Sequence, residues 1–167
     1  GAGYRTGGVG KWAMGGVETS GFPLKNGFDF WMGYLDQGQA HNYYPTHLWR
    51  NGQKYPLPGN VLSDHPKARG RVASRKVTWS HPVMTEEAFA FVRESRSQPF
   101  LLHVHWTIPH ANNEGGRVHG DGMEVPDYGA YKEQDWVNTS KGQAAMVSWM
   151  DRGVGRLVDL LRELKLD

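Results

Sequence analysis

Lys11 and His110 are the side chains best placed for chemistry. Lys11 falls in Gly10-Lys11-Trp12, directly after a glycine-broken run over residues 4–12 that reads as a buried strand, and before the flexible Gly15-Gly16 pair. His110 holds the matching position after a second strand-like run, with Thr107 and Pro109 fixing the approach of the chain. Ligands of open α/β sheets commonly bind beyond the carboxyl ends of the strands. An ammonium there could stabilise an anionic group, or the charge that develops on it in a transition state. An imidazole could donate to the same anion or exchange a proton with a leaving group near neutral pH. Each residue alone also fits an exposed lysine or a structural histidine; the two together make a site hypothesis.

Other clusters compete. His41, Asn42, Tyr43 and Tyr44 form a polar and aromatic group before Pro45, suited to binding a sugar or sulfate ester, and equally to a turn with tyrosines tucked into a core. His103 and His105 alternate on one face of a strand, a spacing that can support a metal ion. No Cys, third His or carboxylate stands at a matching distance, so packing against a covering helix is the preferred reading. Asp121, Glu124 and Asp127 lack the regular spacing of a calcium loop and read as solvated loop charge. No nucleophile elbow, phosphate-cradling loop, zinc-protease motif or dinucleotide fingerprint occurs.

The elements that must hold these groups follow from pattern. Residues 27–35 read as a second aromatic-rich strand, and Asn51-Gly52 predicts a hairpin over 47–57 through a type I′ turn. Residues 58–77 turn to Gly, Pro, Ser and basic residues and read as a surface excursion. Thr85 reads as the N-cap of a helix over 85–96, with Glu86 and Glu87 in its first turn. The mostly apolar run from Pro99 to Trp106 reads as a central strand covered on both faces. Residues 111–140 read as a long loop, and Met146 or Val147, Met150, Val154, Leu157, Leu161 and Leu164 set one stripe of a helix from about Lys141. Gly153 and Gly155 within it predict the close approach of another backbone. Strand, helix, strand and helix in succession favour an α/β layer architecture.

The 167 residues suit one folded domain, with 38% hydrophobic and 22% charged residues. A net charge of +2, scattered along the chain, argues against nucleic acid or an anionic membrane as partner. No apolar run approaches the ~20 residues that cross a bilayer. The absence of cysteine excludes disulfides and thiolate chemistry here without fixing the compartment. The chain opens Gly-Ala-Gly-Tyr without an initiator methionine or signal-peptide pattern and stops just after an amphipathic helix, so both ends read as cuts.

Taken in order, Gly3-Tyr4-Arg5-Thr6, Gly10-Lys11-Trp12-Ala13-Met14-Gly15, Gly27-Phe28-Asp29-Phe30 and Gly33-Tyr34 resemble the Gly-Lys-Trp-His-Leu-Gly region of formylglycine-dependent sulfatases. The likeness continues through Ala40-His41-Asn42-Tyr43-Tyr44-Pro45, Thr85-Glu86-Glu87-Ala88, Pro99-Phe100-Leu101-Leu102, Pro109-His110 and Met150-Asp151-Arg152-Gly153-Val154-Gly155. It spares only 58–77 and 111–135. The resemblance implies part of an α/β/α sandwich of the alkaline-phosphatase-like type, with a mixed sheet and long loops, and an interior segment of the catalytic domain over 1–167.

In that family a Cys or Ser in a Cys/Ser-x-Pro-x-Arg motif becomes formylglycine, whose hydrate attacks sulfur while calcium holds the sulfate. No such motif is present. The resemblance gives Lys11 a bridge between the formylglycine hydroxyl and a sulfate oxygen, and His110 a contact near the leaving oxygen. His41 and Asn42 join the expected substrate-binding set, with a sulfate ester, such as a sulfated glycan, as substrate. The family's calcium ligands fall outside this chain, and its histidine two residues after the lysine is replaced by Ala13. The fragment alone is expected to be inactive, and the resemblance suggests a periplasmic or secreted parent. Phosphate-ester or phosphonate hydrolysis on the same fold, and a non-catalytic carbohydrate-binding module built on aromatic residues near His41 and Trp49, are the competing expectations.

Overall fold

The computed structural model describes residues 2–167. Its first strand, β1 (Arg5–Lys11), forms despite three glycines because neighbouring rings press onto its bare backbone. A Cβ on Gly7 would lie 2.5 Å from the ring of Phe91, so no larger residue fits there without moving that ring. Parallel partners flank β1: β2 (Phe30–Tyr34) on one side and β7 (Phe100–His105) on the other. The hairpin of β3 (His47–Arg50) and β4 (Gln53–Pro56) extends the sheet antiparallel beyond β2, in the order β4-β3-β2-β1-β7. The sheet is thus mixed, as expected. Asn51 and Gly52 take φ of 50° and 87°, the turn that their types predict, and Asn51 Oδ1 accepts the Trp31 amide at 2.9 Å.

Helices α1 (Ser80–Ser95) and α3 (Asn138–Glu163) pack together against one face. There Val9, Met32, Tyr34, Leu48, Met84 and Phe91 make the main core. Each large apolar side chain buried this way contributes roughly 1.5–3 kcal/mol. The opposite face is partly covered by the 12–28 segment, whose Trp12 and Phe22 pack with Trp31 and Leu35. No helix among the described residues is long and apolar enough to cross a membrane.

Several expectations need correction. α1 begins at Ser80 and not at 85, with Trp79 at the N-cap; Thr85 is buried inside it and its hydroxyl donates to the His81 carbonyl at 2.9 Å. Pro82 is tolerated because it falls in the first turn, where amides have no helical acceptor. β7 is an edge strand among these residues, not a doubly covered one. Phe100, Leu102 and Val104 face the core, while Leu101 is 49% exposed.

The 58–77 stretch is more than surface, since Ala68 and Val72 are fully buried and it carries a two-stranded ribbon of β5 (Val61–Leu62) and β6 (Ala73–Arg75). The 111–140 stretch contains a helix, α2 (Asn113–His119), because Asn112 Oδ1 caps it by accepting the Gly115 amide and Gly120 ends it in the left-handed region. In α3, Met146 and Leu160 are buried but Val154 is 48% exposed, so the stripe is narrower than its spacing suggests. A side chain and not a backbone fills the space at Gly153, where a Cβ would meet the Trp106 ring at 2.8 Å. Nothing lies within 4 Å of a Cβ at Gly155, and nothing in the structure explains that glycine.

Candidate active site

The carboxyl ends of β1, β2 and β7 lie side by side, with Lys11 opposite Tyr34 and Gly10 opposite His105. Gly10 has φ of 109°, and a Cβ on it would stand 1.9 Å from the His105 carbonyl oxygen, so only glycine lets β1 turn out beside β7 just before Lys11. Lys11 and the loop carrying His110 therefore leave the sheet at the same edge. The Ile108–Pro109 peptide in that loop is cis.

The turn at 39–44 is anchored from below. The Tyr34 hydroxyl donates to the Asn42 carbonyl at 2.8 Å and shares a 2.7 Å contact with the Ser80 hydroxyl, which can donate back. Burial pushes the Tyr34 hydroxyl far above its ordinary pKa, so it stays a neutral donor. Asn42 Oδ1 accepts the Tyr44 amide at 2.9 Å, and the Asn42 side chain is buried with its Nδ2 unpartnered. Asn42 thus lies behind the site surface, shaping the turn. The Tyr43 hydroxyl reaches the Thr107 carbonyl at 3.2 Å and the His110 carbonyl more closely, fastening this turn to the loop after β7.

The fastening brings His41 and His110 together. Their rings stack with centroids 5.5 Å apart and planes 15° from parallel. His110 is exposed, and its Nδ1 lies 2.6 Å from the Ala111 carbonyl, a contact in which only the nitrogen can donate. His41 Nδ1 lies 2.7 Å from Oε2 of Glu114, the second residue of α2. Arg71 donates to Oε1 of the same carboxylate at 3.1 Å. Burial alone would raise the Glu114 pKa, but the hydrogen bonds from His41 and Arg71 outweigh it and hold the carboxyl below its usual range. Both imidazoles are therefore anchored through Nδ1.

A second buried carboxylate lies ten residues on. Glu124 is 6% exposed, contrary to the expectation of solvated loop charge. Its Oε2 accepts from Asn112 Nδ2 at 2.8 Å, and Lys76 Nζ stands 2.7 Å from Oε1 as a charge contact without hydrogen-bond alignment. Sequence reasoning missed Glu114 altogether, since a Glu after Asn-Asn in a glycine-rich stretch carries no sign of its distant partners.

His103 and His105 contact each other, Nδ1 to Nε2 at 3.3 Å, and His103 packs on the edge of Phe28. Phe28, not a covering helix, is what His103 meets. Among the described residues no three His, Cys, Asp or Glu side chains form a set that could hold a metal ion. A groove of 710 Å³ opens beside Ala13, Asp36 and Trp49, but Lys11, His41 and His110 do not line it, so volume does not mark the chemistry.

Comparison with known proteins gives a match to the sulfatase family over residues 1–167. The structure of Ps i-CgsB in complex with k-i-k-neocarrahexaose superposes with a TM-score of 0.72 at 25% identity, over 98% of this chain and 35% of that one. A Bacteroides thetaiotaomicron protein described with the metabolism of multiple glycosaminoglycans (BT33336S-sulf) aligns with a TM-score of 0.60 at 17% identity, over 99% and 41%. BT4656, in complex with its substrate D-glucosamine-2-N,6-O-disulfate, aligns with a TM-score of 0.57 at 16% identity, over 99% and 46%. No curated protein matches. The chain spans about a third to a half of the length of these solved relatives.

Proposed function

We propose, from the premise that the chain belongs to the sulfatase family, that the full-length protein hydrolyses sulfate esters and that Lys11 and His110 bind the sulfate. The reading rests on one observation: β1 and β7 pair in parallel with Gly10 opposite His105, so the two residues start from one sheet edge. There the Lys11 ammonium offsets charge growing on a sulfate oxygen as the S–O bond breaks. His110, with Nδ1 turned to the Ala111 carbonyl, offers Nε2 to the anion or the leaving oxygen. His41 supplies a second imidazole beside it. Asn42 serves from behind, by holding the turn that carries His41.

The nucleophile and metal belong to other parts of the full-length protein in this reading, as formylglycine and calcium. Calcium would supply charge neutralisation of the sulfate, and no group of three ligating side chains for it occurs among the described residues. A sulfated glycan is the proposed substrate class, supported by the sugar ligands of two solved relatives.

The test is sulfate release from a sulfated oligosaccharide by the full-length protein and by Lys11→Ala and His110→Ala variants. Loss of one charge-stabilising donor lowers kcat about 10²–10³-fold. Variants that fold normally and release sulfate at the unaltered rate would sink the proposal, and so would release of phosphate but not sulfate by the unaltered enzyme.

A further inference from the structure

We infer that Glu114 is a positioning residue that acts through His41, holding its Nδ1–H so that Nε2 is the nitrogen offered to a sulfate oxygen beside His110. The sulfate in this statement rests on the function proposed above; the Glu114–His41 pair does not.

Glu114 comes from α2, His41 from the short turn after β2, and Arg71 from the excursion before α1. Three distant segments thus meet on one carboxylate that is 3% exposed. Its two oxygens are divided: Oε1 takes Arg71 at 3.1 Å, with Arg117 at 3.9 Å, and Oε2 takes His41 at 2.7 Å. Were Glu114 present only to neutralise Arg71, the second oxygen would not need an imidazole at so short a distance. An ionised carboxylate can only accept, so the proton between them must sit on His41 Nδ1. That fixes the tautomer and the ring plane together.

The consequence falls on the other nitrogen. His41 Nε2 has no hydrogen-bond partner among the described residues, and its side chain keeps 12% exposure. Its ring is stacked on His110, whose Nδ1 is likewise committed, to the Ala111 carbonyl. Two imidazoles anchored through Nδ1 leave two Nε2 atoms for a guest. Around His41 stand the Glu114 carboxylate, the Arg71 and Arg117 guanidiniums that share it, and the His110 ring. Without Glu114 nothing among the described residues fixes which nitrogen of the ring carries the hydrogen.

The test uses the full-length protein labelled with ¹⁵N-histidine. In the unaltered protein the His41 ring should carry hydrogen on Nδ1, alone or with Nε2, and inorganic sulfate should shift the Nε2 resonance. Glu114→Gln keeps the size but sets an amide donor against a donor, so the His41 ring should lose its fixed plane and its Nδ1–H tautomer, and sulfate should bind more weakly for want of an oriented Nε2. Activity should fall about 10–100-fold, as when the carboxylate behind a working imidazole is lost. Glu114→Asp should recover part of both the tautomer and the rate. A His41 ring protonated only at Nε2 in the unaltered protein overturns the inference, even if no variant folds. So does a Glu114→Gln protein with unchanged tautomer, sulfate response and rate. A His41 ring that behaves as expected, in an enzyme indifferent to Lys11→Ala and His110→Ala, supports the Glu114 role and overturns only the site reading.

Discussion

Two buried carboxylates ten residues apart, Glu114 and Glu124, differ in what lies at the far end of their hydrogen bonds. Glu124 faces Lys76 and the amide of Asn112, and Asn112 is itself 0% exposed, so on that side the chain of contacts closes inside the protein. Glu114 faces Arg71 and His41, and His41 stacks on the exposed His110, so its chain of contacts ends at the surface. Burial and an adjacent cation are common to both and do not separate structure from chemistry. A partner with an unsatisfied atom near solvent does.

The strongest way to break this comparison is Asn112→Ala, because Asn112 belongs to both sides. Its Nδ2 donates to Glu124 and to the Arg71 carbonyl, and its Oδ1 caps α2, which carries Glu114. Loss of a cap and of buried hydrogen bonds should cost about 3 kcal/mol in urea unfolding and also lower sulfate release. A stable variant with normal activity would show that the two clusters are not joined.

A buried ionisable group without a charged partner sharpens the contrast. Burial pushes the His81 imidazole down to about 4, among Trp79, Trp106 and Trp149. Below the ordinary histidine pKa of about 6.5 the unfolded chain binds a proton that the folded one refuses. The stability from a neutral His81 is therefore full above that pH and is lost as pH falls toward 4. Unfolding free energies in urea at pH 7.5 and 4.5 should differ by up to about 2.5 kcal/mol from this residue. His81→Phe should flatten that window, and an equally steep dependence in the variant would refute the assignment.

Glu124→Gln tests the closed cluster itself. It should cost ~2 kcal/mol in thermal unfolding, tempered because Lys76 can turn to water, and leave kcat/KM intact once folded. The reverse pattern, normal stability with lost activity, would erase the distinction from Glu114. At the small end, Glu94→Ala removes an exposed pair with Arg5 and should change stability by less than about 0.5 kcal/mol. A larger loss would mean that surface charge matters here as much as buried charge.

The scaffold was largely legible in the sequence because its signals are local. Asn51-Gly52 dictates its turn, and β1, β2, β7 and the long helix announce themselves by pattern. The misreadings share a physical cause. Thr85 resembles a cap until its hydroxyl is seen bonded back to His81, and the Pro99–Trp106 run resembles a doubly covered strand because apolar content does not say how many faces are packed. Lys11 and His110 were legible as strand-end residues and through family resemblance. Glu114 was not, since its role depends on residues 43 and 73 positions away in sequence.

The Tyr43 phenol, bonded across to the carbonyls of Thr107 and His110, ties two separate stretches of chain into one rigid jaw. The spacing of the two histidine rings is therefore inherited from the scaffold, and a sulfate bound as proposed would meet a receptor already assembled. Shortening that crosspiece, as Tyr43→Phe would do, should loosen the grip before it alters the chemistry.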